Sequence, residues 1–167
     1  VYDGPHVDYA GLPPPLNVEF SCADQRELTE RLIESRASDG WRWANPKNTE
    51  DGAEERAAIA AQYFGSADRI LDLGSGLLKV SMHLRSGNVY TPVDLVRYSQ
   101  FTILADLNDG GFPEGEWDCA LALELFEHIH DVPKLLVQIR SVAARLVCTY
   151  CCLEDVGDLT ERRERGY

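Results

Sequence analysis

The sequence predicts an α/β protein with a doubly wound, mainly parallel sheet and an N-terminal helical arm. Two observations carry this prediction. From residue 69 onward, short apolar segments alternate with segments of helical periodicity, which is typical of parallel strands joined by crossover helices. The segment 119–125 is apolar at nearly every position, as expected for a strand that is covered on both faces.

Composition and charge fit one folded domain. The chain has 167 residues, of which 44% are hydrophobic and 26% are charged, so a disordered or collagen-like chain is excluded. The formal net charge of −12 argues against nucleic acid or an anionic membrane surface as a partner. Five cysteines, an odd number, indicate reduced thiols, and no run approaches the ~18 apolar residues of a membrane span. We therefore expect a cytoplasmic location and no membrane partner.

The N-terminal part is predicted to be helical after an irregular start. Residues 1–20 hold several Gly and Pro and are predicted to form an extended arm. An acidic pair spaced like a capping box predicts a helix that begins near Asp24. A second, alanine-rich helix is predicted over residues 49–64. We accordingly divide the chain into an N-terminal arm and helix, residues 1–48, and a second unit, residues 49–167.

Five strands and two further helices are predicted in the second unit. A Gly-Ser-Gly turn follows the first strand, and a helix over residues 77–84 follows the turn. Asp131 is placed to cap a helix whose apolar residues recur at helical spacing. The predicted strands are residues 69–73, 89–96, 103–107 and 119–125, and a last strand that begins at Val147.

Three acidic residues fall at or near strand ends, where an open parallel sheet places its ligand crevice. Asp72 precedes a turn that contains Gly74 and Gly76, and glycines there let the backbone approach a ligand closely. Asp94 lies about twenty residues further on, where a carboxylate can accept two hydrogen bonds from ribose hydroxyls. Asp106 is positioned to accept a hydrogen bond from an exocyclic amine. The spacing therefore predicts a nucleoside-containing ligand.

Four segments occur in a characteristic order: ILDLGSG at 70–76, YTPVDL at 90–95, LADLND at 104–109 and FPEGEWDCALALELFEHIHD at 112–131. This series resembles the class I, Rossmann-like methyltransferases that depend on S-adenosylmethionine. The resemblance covers about residues 50–153. It implies S-adenosyl-L-methionine as the cofactor and a methyl group as the group transferred.

The resemblance also implies cofactor contacts. The two glycines of the turn would line the methionine part of the cofactor, and Asp94 would bind the ribose diol. Asp106 with Leu107 would contact adenine, and Leu123 would offer its backbone carbonyl to the cofactor ammonium. The predicted cofactor-binding set is Asp72, Gly74, Ser75, Gly76, Asp94, Leu95, Asp106, Leu107 and Leu123.

One residue departs from the family pattern. Family members often continue the turn as G-x-G-x-G, whereas Leu78 stands at the third glycine position. We interpret this as a local adjustment of helix packing, and a catalytically inactive interaction module with the same fold stays an alternative. A nicotinamide dinucleotide is the alternative cofactor. Its G-x-G-x-x-G fingerprint requires glycine where Lys79 stands, so the sequence favours methyl transfer.

Glu124, Glu127 and His128 form the pattern E-x-x-E-H just after the fourth predicted strand. A base helps methyl transfer to a hydroxyl, and His128 is our first candidate, with His130 as a substitute. The pattern is similar to one that binds a divalent metal in ubiquinone-pathway O-methyltransferases and small-RNA 2′-O-methyltransferases. A metal-assisted O-methyltransferase is therefore an alternative, although metal-free relatives often share the pattern and we assign no metal.

The acceptor is expected to be a small molecule, because no basic patch is visible. The family builds its acceptor pocket partly from N-terminal segments, which makes Trp41, Trp43 and Tyr98 candidate contacts. The charged run at residues 162–165 is expected to be a solvated helix face. Since the family's sheet has seven strands and five are predicted here, we expect the last strands to be missing, or a protein partner or second copy to complete the sheet edge.

Overall fold

The computed structural model describes residues 22–44, 52–152 and 158–164, so the predicted arm at residues 1–20 lies outside the described chain. The helices are α1 (Cys22–Ser35), α2 (Gly40–Trp43), α3 (Ala53–Ala60), α4 (Val132–Val142) and α5 (Leu159–Glu164). The strands are β1 (Arg69–Leu73), β2 (Val89–Asp94), β3 (Ile103–Leu104), β4 (Cys119–Leu123) and β5 (Leu146–Thr149). Two short 3-10 helices are Lys79–His83 and Phe126–His128.

The five strands form one parallel sheet in the order β3-β2-β1-β4-β5. From β1 the next two strands, β2 and β3, follow one another toward one edge of the sheet. Strand β4 then lies on the other side of β1. This reversal separates the loops that leave β1 and β4 and opens a crevice at the carboxyl ends of the strands. The doubly wound parallel sheet predicted from the sequence is therefore confirmed.

Alternate residues of the central strands enter apolar clusters on opposite faces of the sheet. On one face Leu71 and Ala120 pack against Leu135 and Ile139 of α4. The cluster on the other face includes α3 and the first 3-10 helix, and its buried members are Ala57, Phe64, Ile70, Val80, Cys119 and Leu121. Both faces are covered, which explains why the strands are apolar without alternation.

One helix prediction is confirmed and another is wrong. A helix is present where one was predicted to begin near Asp24, and its first residue is Cys22. The segment 77–84 is not an α-helix but contains the 3-10 helix Lys79–His83. Leu78 has a φ of 56° immediately before it, and a left-handed residue interrupts a right-handed helix.

Two other helix predictions concern helix ends. Asp131 caps α4 as predicted, because its carboxylate accepts a hydrogen bond from the backbone N–H of Lys134 at 3.0 Å. The helix predicted over residues 49–64 is shorter and spans Ala53–Ala60, while residues 49–51 lie outside the described chain.

The first and last helices pack against each other. Arg163 of α5 pairs with Glu30 of α1 at 3.5 Å. The prediction of a solvated charged face is wrong for Arg162, which is buried, donates to the Cys151 carbonyl at 2.7 Å and lies over the Tyr150 ring. The pair of helices is thus attached to the segment that follows β5. Within the three described stretches, no helix is both long and apolar enough to cross a membrane.

Candidate functional site

A cavity of about 400 Å³ opens at the carboxyl ends of β1, β2 and β4. Its volume falls within the roughly 300–1,000 Å³ that is usual for small-molecule sites. Helix α3 borders it, as do residues 36–44, the segment that follows α1 and includes α2, which we name the cap. The structure brings all nine residues of the predicted cofactor-binding set to its lining: Asp72, Gly74, Ser75, Gly76, Asp94, Leu95, Asp106, Leu107 and Leu123.

The turn after β1 brings polar backbone and little side-chain bulk to the cavity. Gly74 has a φ of 72°, and a Cβ there would lie 3.1 Å from Cδ1 of Leu125. The backbone N–H groups of Gly74 and Ser75 donate to the Val93 carbonyl at 2.9 and 3.1 Å, which ties the turn to β2. The buried Ser75 Oγ has no hydrogen-bond partner within the described chain. This cradle fits a polar ligand that approaches the backbone closely.

Asp94 connects the turn after β1 to the loop after β2. Its Oδ2 accepts a hydrogen bond from the Gly76 N–H at 2.8 Å, and its Oδ1 accepts one from the Val96 N–H at 2.9 Å. Burial raises the pKa of Asp94 to about 6, although the backbone hydrogen bonds oppose this effect. Asp94 also lines the cavity, so its carboxylate can accept a hydrogen bond from a hydroxyl of a ligand as well.

Asp72 is buried and accepts a hydrogen bond from the hydroxyl of Tyr90. Burial raises the pKa of Asp72 to about 7; the Tyr90 hydrogen bond lowers it and the nearby Asp94 raises it. Burial and the carboxyl groups of Asp72 and Asp94 raise the pKa of Tyr90. Its hydroxyl therefore stays protonated and donates the hydrogen bond. Tyr90 is not among the residues predicted from the sequence. The strand register could have revealed it, because Tyr90 pairs with Ile70 and so shares a sheet face with Asp72.

Asp106 links the cap to the loop after β3. Its Oδ1 accepts hydrogen bonds from Ser38 Oγ at 2.7 Å and from the backbone N–H of Asn108 at 2.9 Å. Both bonds go to Oδ1, so they leave Oδ2 to a ligand. Ser38 is not among the predicted site residues, because nothing in the cap sequence indicates that the cap folds back over the strand ends.

His128, the predicted base, lines the cavity beside the cap. Its ring meets the ring of Trp43 edge-on, with centroids 4.6 Å apart and planes at 69°. Burial lowers the pKa of His128 to about 3, and the charges of Arg42 and Arg162 act in the same direction. The imidazole is therefore neutral near pH 7 and is a weak base.

The other predicted acceptor-side residues have structural partners. The ring Nε2 of His130 lies 3.0 Å from the Ala37 carbonyl. Tyr98 is buried and its hydroxyl donates to the Trp43 carbonyl, which holds α2 over the sheet. The side chain of Trp41 lies outside the described residues. Trp43 and Tyr98 line the cavity, as expected of acceptor contacts, whereas their role in binding an acceptor stays a prediction.

The acidic residues of the E-x-x-E-H pattern have separate partners. Glu124, whose φ is 50°, pairs with Arg56 of α3 at 3.1 Å. Glu127 Oε1 accepts a hydrogen bond from the Cys151 N–H at 2.5 Å. Over the part of the chain that the structure describes, no group of three or more His, Cys, Asp or Glu side chains is arranged to hold a metal ion. Arg56 was missed because the alanine-rich α3 shows no distinct face toward a ligand.

The comparisons with known proteins agree with this arrangement. Residues 41–165 match a family model described as a methyltransferase domain. The solved structure of the plantazolicin methyltransferase BpumL in complex with SAH is 16% identical in sequence, and the match has a TM-score of 0.51 and covers 84% of this chain and 70% of that chain. This likeness shows the fold. No curated protein matches the chain.

The family model covers all five strands of the described sheet, the turn after β1, all three predicted acidic residues and the segment after β4. The cofactor of methyltransferases of this class is S-adenosylmethionine, which agrees with the cofactor predicted from the sequence. The class I, Rossmann-like fold is likewise confirmed by the parallel sheet and by the match to BpumL. The chain belongs to this class I methyltransferase domain family.

Proposed function

We propose that this chain binds S-adenosyl-L-methionine in the cavity and transfers its methyl group to a small-molecule acceptor. The observation that carries the proposal is the hydrogen bond from the Gly76 N–H to Asp94. This bond joins the glycine turn to the carboxylate that is predicted to bind the ribose hydroxyls, so the turn and the carboxylate form one wall of the cavity. The family match and the shared fold support methyl transfer as the reaction.

The residues of the chain bind and orient the cofactor. Asp94 accepts from the ribose hydroxyls and Asp106 Oδ2 accepts from the adenine amine. The turn lets the methionine part lie against the sheet, and the Leu123 carbonyl accepts from the ammonium group. The cofactor supplies a methyl group on a sulfonium centre, so the protein has chiefly to align the acceptor and exclude water.

His128 is proposed as the group that takes up the proton of the acceptor. A hydroxyl oxygen becomes strongly acidic as it gains a methyl group, because an oxonium forms, so a neutral imidazole suffices for a hydroxyl acceptor even though burial lowers its pKa to about 3. The same low pKa keeps the imidazole free of a proton before the reaction. It also favours rapid loss of that proton afterwards.

A small-molecule acceptor fits the surroundings of the cavity. The cap and α3 border the cavity, and the chain carries a net charge of −12, which opposes nucleic acid. Trp43 offers an aromatic surface, and the ion pair between Arg56 and Glu124 offers both signs of charge at the cavity wall. These groups are the proposed acceptor contacts.

Calorimetric titration with S-adenosylhomocysteine (SAH) tests cofactor binding. We expect the wild-type chain to bind, and Asp94→Asn to bind at least about tenfold more weakly, because a neutral amide replaces one charged acceptor. Asp118→Asn is the matched control: Asp118 is exposed and accepts a hydrogen bond from Arg69 at the start of β1. No binding by the wild-type chain would contradict the proposal.

Transfer of a labelled methyl group into a small-molecule extract tests the reaction itself. Labelled product that disappears with Asp94→Asn but persists with Asp118→Asn would support the enzyme. If SAH binds and no acceptor in the extract gains label, the alternative of a catalytically inactive module is favoured instead.

A further inference from the structure

The side chain of Asn108 links three segments that border the cavity. Its Nδ2 donates to Ser38 Oγ of the cap at 2.9 Å and to the His128 carbonyl at 2.8 Å. Its Oδ1 accepts a hydrogen bond from the His130 N–H at 2.9 Å. The amide therefore uses both of its N–H donors and a lone pair of its oxygen, each toward the cap or the segment after β4.

Asn108 also holds Asp106, the carboxylate that is predicted to bind the adenine amine. The backbone N–H of Asn108 and the hydroxyl of Ser38 donate to one oxygen of Asp106, and the Asn108 amide in turn donates to Ser38. These three hydrogen bonds form a closed triangle. A rotation of the Asp106 carboxylate would break two of them, so its second oxygen is held in one direction.

Further contacts join the cap to the segment after β4. The His130 ring lies 3.0 Å from the Ala37 carbonyl, and Arg36 donates to the His130 carbonyl at 3.4 Å. Asn108 is the residue whose side chain reaches both the cap and this segment while its backbone reaches Asp106. A displacement of the cap is therefore transmitted to the adenine side and to the His128 side together.

We propose that Asn108 is a positioning residue for methyl transfer, which acts through Asp106 at the adenine end and through His128 and the cap at the acceptor end. The inference rests on the proposed function, because it assumes that Asp106 receives the adenine amine. Its consequence is that a residue outside the predicted cofactor-binding set controls both the affinity for the cofactor and the preference for its adenine ring over other nucleobases.

The test compares SAH with S-inosylhomocysteine, which carries an oxygen in place of the exocyclic amine. We expect the wild-type chain to prefer SAH. Asn108→Ala should lower SAH affinity about tenfold and reduce the preference over the inosine analogue, because Asp106 is no longer held. Ser38→Ala is a milder second variant that removes one side of the triangle and should act in the same direction. In the double variant the two effects should not add, because both operate through the same carboxylate.

Asn88→Ala is the matched control. Asn88 precedes β2 at the opposite end of the sheet and has the same pattern of bonds, with Nδ2 donating to the carbonyls of Gly65 and Asp68 and Oδ1 accepting from the Arg85 N–H. This variant should lose stability toward urea while its SAH affinity and its preference stay at the wild-type values.

The outcomes separate the two proposals. Failure of wild-type protein to bind SAH contradicts the proposed function. Binding of both analogues with equal affinity by wild-type protein overturns the role of Asp106, and with it the inference. So does an SAH affinity of Asn108→Ala within about twofold of wild type, or an equal loss in Asn88→Ala. If Asn108→Ala does not fold, Ser38→Ala decides by the same criteria.

Discussion

The ring of His128 rests edge-on against the ring of Trp43, and this contact joins the segment after β4 to the cap. The imidazole is enclosed on this side by an aromatic ring, and burial is the main cause of its low pKa. The contact thereby couples the chemistry of His128 to the position of the cap, since withdrawal of Trp43 would admit water to the imidazole.

The low pKa of His128 predicts a dependence of stability on pH. An unfolded histidine titrates near 6.5, whereas His128 titrates near 3 in the folded chain. The folded state disfavours the proton, so this contribution to stability is present above pH 6.5 and is lost as the pH falls toward 3. Between about pH 6.5 and pH 5 the free energy of unfolding of wild type should fall relative to His128→Asn by up to about 1.4 kcal/mol per pH unit.

Urea denaturation of both proteins across this range measures the effect. His83→Asn is the control, because it removes a histidine that does not line the cavity. Parallel curves for wild type and His128→Asn would contradict the prediction.

The Tyr90 hydroxyl is predicted to stabilise the fold through Asp72. Tyr90→Phe leaves the buried carboxyl group without that hydrogen bond and should lower the free energy of unfolding by about 1–2 kcal/mol near neutral pH, because Asp72, with a pKa of about 7, is only partly ionised there. In an Asp72→Asn background, Tyr90→Phe should lower the free energy of unfolding by a smaller amount. A double-mutant cycle by chemical denaturation measures the difference, and simple additivity of the two changes would show that the bond contributes nothing.

Leu78→Gly is predicted to leave the stability unchanged or to raise it. The left-handed conformation costs a residue with a Cβ about 1–2 kcal/mol, and glycine adopts it without this cost. The gain offsets the loss of a half-buried side chain. Leu77→Gly is the matched control, which relieves no left-handed conformation and should lower the midpoint of thermal unfolding. Equal destabilisation by both variants would contradict the prediction.

Metal removal is predicted to leave methyl transfer unchanged. Arg56 neutralises Glu124, and Glu127 is held by the Cys151 N–H, so neither carboxylate is arranged beside His128 as a metal ligand. Enzyme dialysed against a chelator should keep its SAH affinity and its rate of methyl transfer. Loss of activity that is restored by added magnesium would instead favour the metal-assisted O-methyltransferase.

The sequence was most informative where a structural requirement is local. A buried parallel strand must be apolar along its length, which located β1 and β4, and a tight turn next to a ligand needs glycine, which located Gly74 and Gly76. These requirements sufficed to bring nine predicted residues to one cavity. What they do at the cavity stays a prediction.

The residues that were missed are polar and are brought to the site by tertiary packing. Ser38 and Asn108 are neighbours through a hydrogen bond although β1, β2 and β3 all lie between them in the chain. No periodicity marks such a pair. The helix predicted over residues 77–84 failed for a related reason, because its apolar spacing gives no information on the left-handed φ of Leu78.

The strand order β3-β2-β1-β4-β5 has a consequence for how binding competence arises during folding. Pairing of β1 with β2 closes a short stretch of chain, whereas pairing of β1 with β4 joins strands that are separated by β2 and β3. Closing the longer stretch costs more chain entropy, so this contact of high sequence separation is expected to form later. A partly folded chain that holds only β1 to β3 carries Asp94 but lacks Leu123 and His128. Ligand binding therefore reports that β4 has joined the sheet, and a ligand that binds only then shifts the population toward the folded chain.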